Sequence, residues 1–205
     1  MKNIIINVGR QIGSGGRVIA TLLAKDFDCQ FYDREILNLA AQESGFSKEF
    51  FEQNDEHKGL LKSFIQQHAP LVSGMNFYRT QFSQESLFKF QSDAIRKAAS
   101  QGSCVFVGRC ADYILRDFPN TVNIFVTATQ EFRVAQVARR HNISEEAALK
   151  KLQSEESARA NYYNYYTGKK WGKASNYDLC VDASILGLEE TEKIIAEFIR
   201  KKFNL

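Results

Sequence analysis

The chain has 205 residues, of which 44% are hydrophobic and 25% charged, with a formal net charge of +3. That length holds one core with inserted flaps rather than two independent domains, and the composition is that of a globular chain rather than a disordered one. The charge is too small to point to nucleic acid, but it suits an anionic small molecule if the cations converge on one cleft.

Asn3 to Val8 is a run rich in β-branched residues ending at Gly9, which predicts a strand buried on both faces. Beyond a glycine-rich loop, Val18, Ile19, Leu22 and Leu23 recur at helical spacing and predict a helix from Arg17 to about Lys25. A short strand over Cys29–Tyr32 follows, then a helix carrying Ile36, Leu37, Ala40 and Ala41. Strand, loop and helix repeated in this way build a parallel sheet.

From Phe46 to about Ser83 the pattern breaks into polar residues and aromatics, and a helical flap is expected there. Helical spacing returns with Leu87, Phe88, Gln91, Ile95 and Ala98 and ends at Gly102. Strands are predicted at Cys104–Val107 and Val122–Val126, then a helix over 130–140 and another from Ser144, a plausible N-cap with acids in its first turn. The stretch 161–172 is aromatic, basic and punctuated by glycine, and is expected to be a mobile loop rather than core. A strand over Tyr177–Val181 and an amphipathic helix close the chain. The expected architecture is a doubly wound, mainly parallel five-stranded α/β sheet with helices on both faces. A single domain over 1–205 is expected, with a helical insertion over 46–100 and a lid region over 141–176.

The four cysteines have neither metal-ligand spacing nor a histidine cluster beside them, and Cys104 and Cys180, within apolar runs, read as buried small hydrophobes. His57, His68 and His141 read as surface residues. The first ten residues hold too short an apolar stretch for a signal segment, and a cytoplasmic protein without membrane contact is expected.

Chemistry concentrates in Gly9-Arg10-Gln11-Ile12-Gly13-Ser14-Gly15-Gly16-Arg17, between the first strand and the first helix. Glycines there let the backbone wrap phosphate oxygens, and the helix N-terminus adds N–H groups and positive potential. The motif GxxxxGK[ST] is not met: with its last glycine on Gly15, Gly16 stands at the lysine. The missing charge falls to Arg17 or to Arg10, since guanidinium pairs well with phosphate. An ordinary turn with solvent-facing arginines is the competing reading, and four glycines argue against it.

Asp33 and Arg34 end the second strand, where Asp33 could serve a Mg²⁺ or an acceptor, or simply cap the next helix. Gly108-Arg109-Cys110-Ala111-Asp112 ends the third and aims Arg109 at the same cleft. Arg159, Lys169 and Lys170, with Arg139 and Arg140 upstream, could close over phosphates as a lid. Ser14 lacks the frame of a hydrolase nucleophile.

The runs GRQIGSGGRVIA, FYDREIL, CVFVGRCADYIL and ARANYYNYYTGKKWGKASNYDL together resemble the cytidylate-kinase-like family, relatives of the P-loop nucleoside-monophosphate kinases. The resemblance implies transfer of the ATP γ-phosphoryl group to a pyrimidine nucleoside monophosphate such as CMP or dCMP, with Mg²⁺. It implies that Gly13, Ser14, Gly15, Gly16 and Arg17 form the ATP phosphate loop, with Arg139 against adenine and Ser14 and Asp33 toward Mg²⁺. Asp33, Arg34, Gln91 and Arg109 would hold the acceptor, and Arg17, Arg109 and Arg159 would serve catalysis. The chain departs from the family pattern at the P-loop lysine, at Cys110 where Asp follows Gly-Arg, and at Ala160 and Tyr163, where the lid carries aspartates. Two other readings stand beside this one, a kinase for a different acceptor and a nucleotide-binding regulatory module without turnover. The sequence leaves oligomeric state open.

Overall fold

The computed structural model describes the backbone over residues 3–44 and 76–205 and the side chains over 3–40 and 85–205. Among these residues the chain runs β1 (Ile5–Arg10), α1 (Gly16–Asp26), β2 (Gln30–Tyr32), α2 (Glu35–Ser44), α3 (Asn76–Gln101), β3 (Cys104–Val107) and α4 (Ala111–Ile114). It continues with β4 (Thr121–Thr127), α5 (Gln130–His141), α6 (Glu145–Thr167), a 3₁₀ turn (Ala174–Asn176), β5 (Leu179–Asp182), α7 (Ala183–Leu186) and α8 (Leu188–Phe203).

The five strands stand in the order β2-β3-β1-β4-β5 and every neighbouring pair is parallel. Parallel neighbours need crossover connections, and the helices between strands supply them. The strands alternate between two cores, as their period of two requires. Ile4, Ile6 and Val8 join Ile124 and Val126 beneath Ile19 and Leu23 of α1 and Ile195 and Ile199 of α8. Ile5, Cys104 and Phe106 face the other way, against Ile36 and Leu37 of α2 and Ala94 and Ile95 of α3. Each Ile or Val so buried contributes roughly 1.5–3 kcal/mol.

The register decides where the site must lie. Val8 stands opposite Val107 and Ile124, and Arg10 opposite Val126, so the carboxyl ends of β1, β3 and β4 emerge side by side. A small third core of Val134, Val137, Ala148 and Leu152 joins α5 to α6 and takes Ile12 of the glycine loop as a partner.

Two expectations meet the structure differently. The aromatic stretch expected as loop is helical through Thr167, and Tyr163 within it is buried. Gly168, at φ 67°, ends that helix as its left-handed cap. Cys180 is exposed rather than buried, because β5 is an edge strand, whereas Cys104 is buried as expected. The part of α3 from Leu87 onward packs into the sheet core; residues 46–75 of the expected flap, with His57 and His68, lie outside the described residues. His141 is exposed at the end of α5. Among the described residues no helix is long and apolar enough to cross a membrane.

Candidate active site

The glycine loop is fixed from every side. Gln11 donates its N–H to the Val126 carbonyl at 2.9 Å, and its side-chain oxygen accepts from the Thr127 hydroxyl and from the Ala128 N–H. Ser14 is fully buried; its hydroxyl donates to the Gln11 carbonyl at 2.9 Å and accepts from the Gly16 N–H at 3.4 Å. Gly13, at φ 78°, lies against the Arg133 main chain, where a Cβ would come 2.6 Å from the Arg133 carbonyl oxygen. Gly15, at φ 79°, begins α1 beneath the Leu188 side chain. Both glycines therefore meet a backbone requirement and a close approach at once. The first turn of α1 holds no acid and Gly15 offers no side-chain cap, so its positive end stays open to an anion.

Glu156 of α6 binds this loop to its neighbours. One oxygen accepts from the Ile12 N–H at 3.4 Å, and the other pairs with Arg133 Nη1 at 2.5 Å in a nearly buried ion pair. Arg139, expected against adenine, is exposed and donates to Gln136 on its own helix. Arg133, one turn into α5, is the arginine that reaches the loop. Sequence reading passed over it because it sits at an ordinary helical position.

Arg17 turns toward β2, with Nε 2.6 Å from Asp33 Oδ2 and the guanidinium 5.9 Å from the Phe31 ring. Arg10 Nη2 lies 3.9 Å from the other Asp33 oxygen. Asp33 is thus a buried acid shared by two loop arginines, and its neighbour Arg34 is exposed. Among the described residues no group of three or more His, Cys, Asp or Glu could hold a metal ion. The Ser14 hydroxyl and the Asp33 carboxylate, the two expected Mg²⁺ contacts, are engaged as just described. The residues here do not fit a metal held by the protein itself.

The end of β3 takes an uncommon path. Gly108, Arg109 and Cys110 all have positive φ, at 73°, 62° and 55°. For the two residues with side chains this costs on the order of 1–3 kcal/mol each, strain that collects where a site needs it. The path buries Arg109 to 6% exposure and brings its carbonyl to the Gln91 amide at 3.5 Å. Gln91, itself buried, also donates to the Tyr162 hydroxyl at 3.4 Å.

Arg159 of α6 is 7% exposed and donates from Nη1 to the Arg10 carbonyl at 3.0 Å. One turn on, the Tyr163 hydroxyl donates to Asp112 Oδ2 at 2.7 Å. Burial pushes the Asp112 carboxyl above the ordinary carboxylate range, against the opposing effects of the Tyr163 bond and the Lys169 charge. Burial, and next the Asp112 charge, push the Tyr163 phenol upward. Arg10, Arg109, Arg159, Asp112, Tyr163 and Trp171 line one cavity between the strand ends and α6. Its floor includes Asn7, whose Nδ2 donates to Asn123 at 2.9 Å. Sequence reading quoted Asp112 and Tyr163 but gave them no part; their pairing across 51 residues leaves no local signal.

A glycine loop opening the first helix of a parallel sheet, with buried arginines at the neighbouring strand ends, defines a P-loop-type kinase scaffold. The fold is shared with the shikimate kinase of Bacteroides thetaiotaomicron, at a TM-score of 0.54 and 9% identity over 98% of this chain and 99% of that one. A crystal structure of a protein from Eubacterium ventriosum is more similar, with a TM-score of 0.73 and 26% identity over 96% and 98% of the two chains. The cytidylate kinase of Methanocaldococcus jannaschii is 24% identical over 96% of this chain and 97% of its own length. That of Pyrobaculum calidifontis is 30% identical over 113 residues, 55% of this chain and 60% of that relative. Residues 5–185 match the cytidylate kinase-like family, and the chain belongs to it. By family it is a nucleoside-monophosphate kinase, a transferase.

Proposed function

We propose that the chain transfers the γ-phosphoryl group of MgATP to a pyrimidine nucleoside monophosphate, CMP or dCMP. The observation that carries this reading is the convergence of Arg109 and Arg159, each buried, on the cavity beside the glycine loop. Guanidinium groups match phosphate oxygens in pairs, so two of them at one cavity suit a phosphorylated ligand.

The donor phosphates lie on the N–H groups of the loop and the first turn of α1, where the triphosphate carries Mg²⁺. An oxygen of the acceptor phosphate attacks the γ-phosphorus, the bond to the β,γ-bridging oxygen breaks, and ADP leaves with that electron pair. No general base is needed, because a phosphate monoester with a second pKa near 6 is already largely dianionic at neutral pH. The protein's part is to place the two phosphates in line and to neutralise charge. Arg109 steadies the acceptor, and Arg159 bridges it to the donor. The segment 141–176 acts as the lid, its helix α6 carrying Arg159, and 46–100 as the acceptor cover. The convergence of cations with ordered backbone donors favours turnover over a silent binding module.

The test is a panel of nucleoside monophosphates with MgATP, read as ADP release and as phosphorylated product by mass. CMP and dCMP should be preferred by at least tenfold in kcat/KM over AMP, GMP and UMP. ADP release with none of them sinks the proposal; preference for a purine or a sugar acceptor redirects it to a kinase of other specificity.

A further inference from the structure

The lysine that a phosphate loop ordinarily carries has no room in this protein. A Cβ at Gly16, the lysine's position, would come 2.5 Å from Cβ and 3.2 Å from Cγ of Arg10, and 3.2 Å from Val126 Cβ. The space is filled by a side chain arriving from the other direction, off the last residue of β1 rather than the first turn of α1. On its far side the Arg10 guanidinium lies over Gly108, where any Cβ would overlap Nη1. Two glycines, one on α1 and one after β3, therefore form a slot through which the Arg10 side chain passes.

The slot leads into the cleft. Arg10 lines the same cavity as Arg109 and Arg159, and its side chain is 13% exposed. Its carbonyl is held by Arg159 Nη1 and its guanidinium stands 3.9 Å from Asp33 Oδ1. Arg17, the other cation of the loop, is 56% exposed and bonded to Asp33 at 2.6 Å, outside that cavity's lining. A rigid cation held between glycines needs little reorganisation when charge develops beside it, which is the condition for strong electrostatic stabilisation.

We infer that Arg10 is the catalytic cation that replaces the loop lysine, contacting the transferring phosphoryl group, and that Gly16 is glycine because the Arg10 stem occupies its side-chain space. This rests on the reading of the site as a phosphoryl-transfer centre. The assignment gives Arg10 the γ-phosphate and leaves Arg17 to position Asp33 at the loop's flank.

Arg10→Met tests it, because methionine keeps an aliphatic stem between the two glycines and removes only the guanidinium. Arg17→Met is the comparison, and thermal unfolding by circular dichroism checks that both variants fold. Arg10→Met should lower kcat by about 10²–10³-fold, the loss typical of one transition-state donor, with acceptor KM within threefold of wild type. Arg17→Met should lose less than tenfold. An Arg10→Met enzyme within threefold of wild-type kcat, or an Arg17→Met variant harmed more than it, overturns the assignment. Calorimetry with ATP and with ADP separates this claim from the functional one, since it needs no turnover. Arg10→Met should weaken ATP binding tenfold or more while ADP changes less than threefold. Equal losses for the two nucleotides overturn the Arg10 assignment even if transfer is confirmed. Selective loss for ATP in Arg10→Met, with a wild type that phosphorylates no acceptor, keeps the Arg10 contact with the γ-phosphate while sinking its catalytic role and the function.

Discussion

Asp112 shows how a single carboxyl can hold a site and charge a cost for doing so. Burial raises its pKa, and the Tyr163 hydroxyl and Lys169 only partly offset that. Well below pH 4 the group is protonated in folded and unfolded chains alike, and its contribution is at its most favourable. As pH rises the unfolded chain releases the proton first, so stability falls until Asp112 ionises in the folded protein as well. Asp112→Asn should remove this dependence while keeping an acceptor for Tyr163. Its stability relative to wild type, from urea unfolding at several pH values, should climb from about pH 4 and then level off. A difference constant with pH would show that folding leaves the Asp112 pKa unshifted. Tyr163→Phe, by contrast, leaves a partly buried carboxylate without its phenol donor and should cost about 1–3 kcal/mol at neutral pH.

Helix α6 explains why part of the site was hard to read from the chain. Ala148, Leu152, Glu156, Arg159, Tyr163 and Thr167 follow one another at spacings of three and four, which is a single helical stripe. Its first half is apolar and meets α5, while its second half is charged and phenolic and meets the strand ends. The geometry is constant along the stripe but its polarity changes, so hydropathy loses the helix just where the site begins. The Ser144 N-cap, readable in advance, does accept from the Ala147 N–H at 3.3 Å. Glu156 is the pivot between the two halves. Glu156→Ala would leave Arg133 buried without its counter-charge and should cost about 3–5 kcal/mol in urea unfolding. It also releases the Ile12 N–H, so ATP affinity should fall alongside stability; unchanged affinity would mean that the loop holds its shape without this brace.

For the whole molecule, the alternation of strand and helix was legible because buried parallel strands are nearly continuous apolar runs, as Ile4–Val8 and Cys104–Val107 are. The order β2-β3-β1-β4-β5 was not, since crossover lengths do not say which earlier strand a new one will join. Glycine density marked residues 9–17 correctly as a strand-to-helix turn. It could not say which arginine fills the lysine's space, because that depends on Gly108, a residue 92 positions from Gly16 in sequence. A basic residue near a helix end likewise says nothing about which face it occupies: Arg139 is exposed and bonds to Gln136 on its own helix, while Arg133 meets the glycine loop.

Trp171 is the sole indole of the chain, and it forms part of the cavity wall, edge-on to Phe125 with ring centroids 5.3 Å apart. The protein therefore contains its own optical probe at the place where an acceptor would arrive. Its emission should shift in colour or intensity when CMP is titrated in, giving a dissociation constant without label or coupled assay. A spectrum indifferent to every nucleotide would mean that ligands never come near this wall.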